Sequence, residues 1–364
     1  MTRIVILAPD DLPVPPRKGG SVQIYLHNLV PELTRQSRDG YHPYLISPGN
    51  KPMEGVSHIP IQANHGSYQK EVLKKLFRLR PDVVQIENRP AWVSWVKAAL
   101  PRTKVVLNLH SLTFLGQSHI SQKSAVMALR EADAVTLNSH SLRRQVARRF
   151  ALSKSSWNPH VIYPGVEAGE FAHSGSTKSS AREFRLLFVG RVIRQKGVHV
   201  LVETVRELKR NRVPVRLTII GRTPPWEKAY RSHLVKKARG LPIRFAGFVA
   251  PSLLPPFYKD ADVLVCPSQG HEAFGLVNLE AMAAGLPVVG SRQGGIAEIV
   301  NESSGILVKD YRNSHSFANV LREMATDPER MAALREGALR RAGEFSWKKC
   351  ASQFWQVYQR ALES

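Results

Sequence analysis

Residues 266–295 read CPSQGHEAFGLVNLEAMAAGLPVVGSRQGG. A strand-like apolar run, Val263 to Pro267, enters this segment. A helical run, Leu276 to Ala284, follows a short loop, Gly285 stops it, and Leu286 to Ser291 has the composition of another strand. Strand, helix and strand in succession predict a parallel α/β sheet, whose ligands bind outside the carboxyl ends of the strands. Glu272 falls in the loop at such an end and Glu280 on the helix that follows, with seven residues between them. The start of that helix offers the backbone N–H groups of Phe274, Gly275 and Leu276 and a positive dipole end, which suits an anion. Gly275 lets a ligand approach the backbone closely. Two ionised carboxylates beside an anion site repel phosphate but accept hydrogen bonds from hydroxyls. The segment therefore reads as a site for a nucleotide-sugar: phosphate on the helix end, one Glu for a ribose, the other for a second sugar. The same two residues also read as a solvated loop Glu and a helix-surface Glu, and their spacing does not choose between the two.

The whole chain bounds what surrounds that segment. At 364 residues it is long for a single core and suits two domains. Its longest apolar runs fall short of the ~20 residues of a membrane-spanning helix, and Ile4 to Ala8 is too short for a signal-peptide core. Cys266 and Cys350 are the only cysteines, too few for a disulfide framework or a zinc site. A cytoplasmic setting is expected. The net charge of +23 is spread evenly: residues 1–168 carry 22 Lys and Arg against 11 Asp and Glu, and the remainder 30 against 18. Such a field favours anionic partners, whether a membrane surface, an acidic polymer or nucleic acid, and also serves as a solubilising surface. No nucleic-acid module or aromatic–basic interleaving accompanies it, so nucleic acid is the least expected.

The αβ rhythm runs through both halves. Arg3 to Ala8 reads as a strand, followed by a proline-rich loop that ends in Gly19-Gly20 and by a helix from Ser21. A glycine pair opening a helix permits close approach of a phosphate or sugar. No G-x-G-x-x-G follows, so a nicotinamide fingerprint is absent. Strands are expected at His42 to Pro48, Asp82 to Glu87, Val105 to Leu109 and Ala134 to Asn138. Between them lie basic helices at Gln69 to Arg80 and from Ser141, whose charges fit core-packed amphipathic helices or a membrane-facing surface. The segment 88–92 forms a polar strand end, and His110 stands at the end of an apolar strand.

In the second half, Arg185 to Val189 is a strand leading to Gly190-Arg191 and Lys196-Gly197. Two cations at a strand-to-helix turn can neutralise a diphosphate leaving group; in a chain with 52 Lys and Arg they carry little weight alone. Ile243 to Phe248 is a strand whose end, with Val249, forms a candidate base-binding edge. Asp260-Ala-Asp262 has the spelling of a metal site but precedes a strand, so it reads as a helix-to-strand junction. No metal is expected.

Taken together these motifs resemble the family-4 retaining glycosyltransferases with the GT-B fold. The run PSQGHEAFGLVNLEAMAAGLPVVGSRQGGIAEIV carries the E-x7-E signature of that family, Gly190-Arg191-x4-Lys196-Gly197 matches its diphosphate motif, and the likeness extends over nearly the whole chain. The resemblance implies two Rossmann-like domains facing a cleft: an acceptor-side domain at 1–168, a linker at 169–184, a nucleotide-sugar domain at 185–345 and a C-terminal helix at 346–364 crossing back to the first. It implies that Glu272 contacts the donor sugar, that Glu280 holds the ribose and that Arg191 and Lys196 stabilise the leaving diphosphate. It further implies that the loop of Gly19 and Gly20 faces the diphosphate and the acceptor, with Arg17 and Lys18 beside it as candidate acceptor contacts or solvated charges, and that His110 positions the transferred sugar. The family often has an acidic residue after that His, where this chain has Ser111, and Pro164-Gly-Val-Glu167 replaces the common Asn-Gly-Val-Asp. The expected activity is retaining transfer of a hexosyl or N-acetylhexosaminyl group from a nucleotide-diphosphate sugar, most commonly UDP-linked in this family, to a glycan, lipid or surface polymer, without a metal or other cofactor. The opening LPVPPRKGGSVQIY resembles members associated with spore coats and cell-surface polysaccharide. That leaves open a non-catalytic, polyanion-binding coat protein and a peripheral contact with an anionic membrane.

Overall fold

The computed structural model describes residues 1–16, 19–37, 40–62, 65–153, 157–167 and 183–364. The chain divides into two compact units, Met1–Gly165 together with Trp347–Ser364, and Val166–Ser346. The expected linker at 169–184 falls outside the described residues except for Glu183 and Phe184, and Phe184 belongs to a strand. Arg17 and Lys18 also lie outside them.

The first unit is built on β1 (Thr2–Leu7), β2 (Tyr41–Pro48), β3 (Ser57–Ile61), β4 (Val83–Glu87), β5 (Lys104–Leu109), β6 (Ala134–Leu137) and β7 (His160–Val161). These form one parallel sheet in the order β3-β2-β1-β4-β5-β6-β7. Its central strands are near-continuous apolar runs because helices cover both faces of a parallel sheet; Ile4, Val5, Ile6 and Leu7 of β1 have no exposed surface. The strand β3, SHIPI, is absent from the sequence expectations. Pro60 argues against a central strand, and the structure places it at the sheet edge, where proline is tolerated. The helix α3 (Trp92–Ala99) was likewise unforeseen, since Trp92, Val93 and Val96 are strand formers as much as core-facing helix residues. The remaining helices are α1 (Ser21–Arg35), α2 (His65–Leu79), α4 (Gln122–Glu131) and α5 (His140–Arg149). The last starts before the expected Ser141 because Ser139 Oγ accepts the Leu142 N–H at 2.9 Å and caps it.

The C-terminal helix α13 (Trp347–Glu363) belongs to this unit. It buries Trp347, Cys350, Ala351, Phe354, Val357 and Tyr358, a helical repeat, in the same core as Val22, Tyr25, Leu26, Leu29 and Leu33 of α1. Burying a side chain such as Phe354 contributes roughly 1.5–3 kcal/mol.

A buried histidine ties the β2–β3 edge together. His58 Nδ1 accepts the Met53 N–H at 2.9 Å, and Nε2 lies 2.9 Å from Ser47 Oγ. Nδ1 is therefore unprotonated, and burial lowers the pKa of the ring from 6.5 to about 4. The unfolded chain binds the proton first as pH falls, so the contribution of the neutral ring is complete above pH 6.5 and declines toward pH 4. Urea titrations from pH 7 to 4 should show the wild type losing stability relative to His58→Gln over that interval; parallel slopes would contradict this.

The second unit has β8 (Phe184–Val189), β9 (Val215–Ile220), β10 (Ile243–Gly247), β11 (Val263–Cys266), β12 (Val288–Ser291) and β13 (Gly305–Val308), parallel and in the order β10-β9-β8-β11-β12-β13. Its helices are α6 (Val198–Arg210), α7 (Lys228–Lys237), α8 (Pro255–Asp260), α9 (Leu276–Ala283), α10 (Ile296–Ile299), α11 (Ser314–Thr326) and α12 (Pro328–Gly343). The core gathers Leu186, Phe188, Leu217, Ile219, Val263 and Val265 from the strands with Val198, Leu201, Val205, Phe317 and Leu321 from the helices. Asp260 ends α8 and Asp262 precedes β11. Both hold the buried Arg185, through Nη1 to Asp260 at 2.6 Å and Nε to Asp262 at 3.1 Å. Among the described residues no helix is long and apolar enough to cross a membrane.

Candidate active site

In an open parallel sheet the crevice for a ligand opens where the strand order reverses. In the second unit that point lies between β8 and β11. The segment after β8 carries Arg191 and Lys196, and the segment after β11 carries Ser268 and Glu272. The structure brings these together. Lys196 Nζ forms an ion pair with Glu272 Oε2, and Ser268 Oγ donates to the same oxygen at 3.2 Å. Burial opposes ionisation of Glu272, but Lys196, the Ser268 hydroxyl and the nearby Arg191 outweigh it and hold the carboxyl below its ordinary value. Burial likewise opposes the charge on Lys196, and Glu272 more than restores it, raising the amine above its ordinary value. Both groups are therefore ionised at neutral pH, as a preorganised pair.

The backbone holds the two segments in register. Gln269 and Gly270 donate their N–H groups to the Gln195 carbonyl at 2.7 and 3.1 Å. The Gln293 amide donates to the carbonyls of Ser268 and Gly270, each at 2.6 Å. Gly294 and Gly295 pass so close to the backbone of Glu272 and Phe274 that any Cβ would overlap it. The glycine pair in the sequence signals this approach; the three glutamines carry no local signal and emerge only in the fold.

Glu280 lies on α9, where Tyr258 Oη donates to its Oε2 at 2.7 Å. Gly275 precedes α9 with φ 97° and offers no side-chain cap, so the helix start stays open to a ligand. Phe274 is buried with its ring against Phe345, which leaves its backbone as its contribution to a site. Leu276 is the first residue of the helix. Val249 is half-buried just past β10. Beside it, the ends of β9 and β10 border an open hollow of about 410 Å³ lined by Arg222, Thr223, Lys228, Arg231 and Phe248, among others. The Arg222 guanidinium lies 4.9 Å above the Phe248 ring. Of these, sequence reasoning singled out only Phe248.

The other candidates belong to the first unit. Gly19 and Gly20 have φ 83° and 112°, and a Cβ on Gly20 would strike the Gln23 side chain. His110 follows β5, its ring edge-on to Tyr25 with centroids 4.6 Å apart and its Nε2 2.6 Å from Glu87 Oε2. The polar end of β4 is more organised than its sequence suggests. Arg89 Nε donates to Asp10 at 2.8 Å, while its guanidinium lies 3.8 Å from the centroid of Phe114, so it joins the segments that follow β1, β4 and β5. Among the described residues no group of three or more His, Cys, Asp and Glu is arranged to hold a metal ion.

Each unit is a parallel Rossmann-like sheet, and the second carries paired charges where its strand order reverses. Residues 19–170 match the model of Glycosyltransferase Family 4, and residues 171–341 match that of Glycosyl transferases group 1. The chain belongs to the family-4 glycosyltransferases and has the GT-B fold. It is 26% identical over 382 residues to spore coat protein SA of Bacillus subtilis, covering 98% of this chain and 99% of that one. Its fold is similar to sucrose-phosphate synthase of Thermosynechococcus elongatus, with a TM-score of 0.80, 22% identity and coverage of 99% and 98% of the two chains. It is also similar to Anabaena HepE solved with UDP and glucose, at a TM-score of 0.76, 20% identity and coverage of 99% and 100%.

Proposed function

We propose that the chain is a retaining glycosyltransferase that moves a hexosyl or N-acetylhexosaminyl group from a nucleotide-diphosphate sugar, UDP-linked, to a glycan, lipid or surface-polymer acceptor in cell-envelope or spore-coat polysaccharide synthesis. The observation that carries this reading is the ion pair of Lys196 with Glu272, with Arg191 beside it at the sheet reversal. Arg191, Lys196 and the open start of α9, through Phe274, Gly275 and Leu276, neutralise the diphosphate as the bond to the sugar breaks. Glu272 accepts hydrogen bonds from the sugar hydroxyls and Glu280 from the ribose. The base lies at the edge marked by Val249. Gly19 and Gly20 give close backbone approach to the donor diphosphate and the acceptor, and His110 positions the transferred sugar. The leaving phosphate assists deprotonation of the acceptor on the same face, so the anomeric configuration is retained and no metal takes part. The setting is cytoplasmic, with the basic surface available to an anionic membrane or polymer.

The test is thermal unfolding against a panel of nucleoside diphosphates and nucleotide-sugars, because a ligand that binds only the folded state raises the midpoint. UDP is the first choice, supported by the similar HepE structure having been solved with UDP. Glu280→Ala should weaken that binding about tenfold, the loss of roughly one charge-assisted hydrogen bond. An unchanged affinity would remove Glu280 from the site. The anomeric configuration of the product, read by NMR, decides retention.

Two observations favour a second reading. The net charge of +23 and the full-length likeness to a spore coat protein fit a basic coat component that keeps the fold without the reaction. The absence of any nucleotide-induced shift, with salt-sensitive retention on an acidic polymer, would support it.

A further inference from the structure

A fully buried carboxylate lies in the middle of the first unit's sheet. Glu87, the last residue of β4, has no exposed surface, although its neighbours in that strand, Val83, Val84 and Ile86, are apolar. An ionised carboxylate in such a place costs several kcal/mol unless it is hydrogen-bonded and paired. Two amide N–H groups and the His110 imidazole converge on it. Gln85 Nε2 donates to Oε1, Asn108 Nδ2 to Oε2 at 3.0 Å, and His110 Nε2 lies 2.6 Å from Oε2. Each amide is oriented by a hydroxyl on its other side: Tyr358 Oη donates to Gln85 Oε1 at 2.6 Å and Thr136 Oγ1 to Asn108 Oδ1 at 2.8 Å. Two amide donors and, among the described residues, no hydroxyl partner fit a carboxylate that acts as an acceptor.

We propose that Glu87 is a positioning residue for His110: it fixes the imidazole with Nε2–H toward the carboxylate, so that Nδ1 is the one ring nitrogen left for a sugar hydroxyl. The ring has little freedom otherwise. Tyr25 stands edge-on to it, the His110 N–H donates to Asn88 Oδ1 at 3.1 Å, and its carbonyl accepts from Asn138 Nδ2 at 3.3 Å. Nδ1 has no hydrogen-bond partner among the described residues. In the neutral ring, Nε2–H leaves a lone pair on Nδ1 that accepts a hydroxyl proton; the other tautomer would turn a lone pair against the carboxylate. The network reaches α13 through Tyr358, and Tyr25 lies 3.8 Å from Cys350 Sγ, so the docking of the C-terminal helix sets the ring as well.

This inference rests on the proposed role of His110, and its test separates the two. Nitrogen-15 spectra of the imidazoles in the ligand-free protein, with His110 assigned by its loss in His110→Gln, report the tautomer without any activity. The expected result is a protonated Nε2 and an unprotonated Nδ1; a protonated Nδ1 in the neutral ring overturns the proposal. Glu87→Gln keeps the shape and removes the charge. It should lower kcat at least ~10-fold, a modest form of the loss seen when a carboxylate no longer orients a histidine, while the affinity for the nucleoside diphosphate stays within threefold. Wild-type kcat in a folded Glu87→Gln protein also overturns it. If no donor supports transfer, the proposed function fails, and the wild-type imidazole spectrum still decides the Glu87–His110 arrangement.

Discussion

Lys196→Ala is expected to lower the rate of sugar transfer by at least ~10²-fold, the usual cost of losing one preorganised donor at a developing negative charge. Lys196 is mostly buried, with 23% of its side chain exposed, and its charge is held in place by Glu272. It stands beside Arg191, so in the proposed reaction two positive charges face the leaving diphosphate. Removing one leaves Glu272 partly buried without its partner, and this also destabilises the fold. Lys196→Ala combined with Glu272→Gln separates the two effects. Stability should recover in the double variant while turnover stays low. Turnover measured as nucleotide release, beside urea unfolding of the same proteins, checks both. Wild-type turnover in a folded Lys196→Ala protein would remove Lys196 from the reaction.

The largest expected effect on stability comes from the next residue. Gly197 adopts φ 73° and ψ 21°, the left-handed region, and caps the start of α6. A Cβ there would overlap the carbonyl oxygen of Pro267, a backbone atom that a rotamer change cannot move aside. The hydrogen bonds from Gln269 and Gly270 to Gln195 hold the two segments at this distance. Gly197→Ala should therefore cost at least ~3 kcal/mol, adding steric overlap to backbone strain. Gly240 is the control: it has the same φ of 73°, and a Cβ on it meets nothing within 4 Å. Gly240→Ala should cost only the conformational strain, about 1 kcal/mol. Denaturant midpoints of the two variants give the comparison. Equal losses would mean that the Gly197–Pro267 approach contributes little.

Both predictions concern residues visible in the sequence, although the contact that gives each its effect was not. Gly190-Arg191 and Lys196-Gly197 stand out as a strand-to-helix turn, and Glu272 as the first residue of a spaced pair. That Lys196 meets Glu272, 76 residues away, follows from β8 and β11 being sheet neighbours, and strand order has no local signature. The same holds for Glu87, which looks like the polar end of an apolar strand until β5 brings His110 and Asn108 beside it. Edge elements escaped for a different reason: β3 contains Pro60 and β13 is only the four residues Gly305–Val308, so their local patterns are weak and neighbouring strands supply the stabilisation.

The sequence by itself determined the alternation of strands and helices, the burial of the central strands on both faces, and the loops that carry the charged residues. These properties reside in apolar periodicity and in glycine, both local. Only the tertiary structure decided which strand ends adjoin, which carboxylate receives which cation, and which buried groups orient His110. Those depend on parallel pairing between segments far apart in the chain, where a single register brings the donors and acceptors of many separate residues into reach at once.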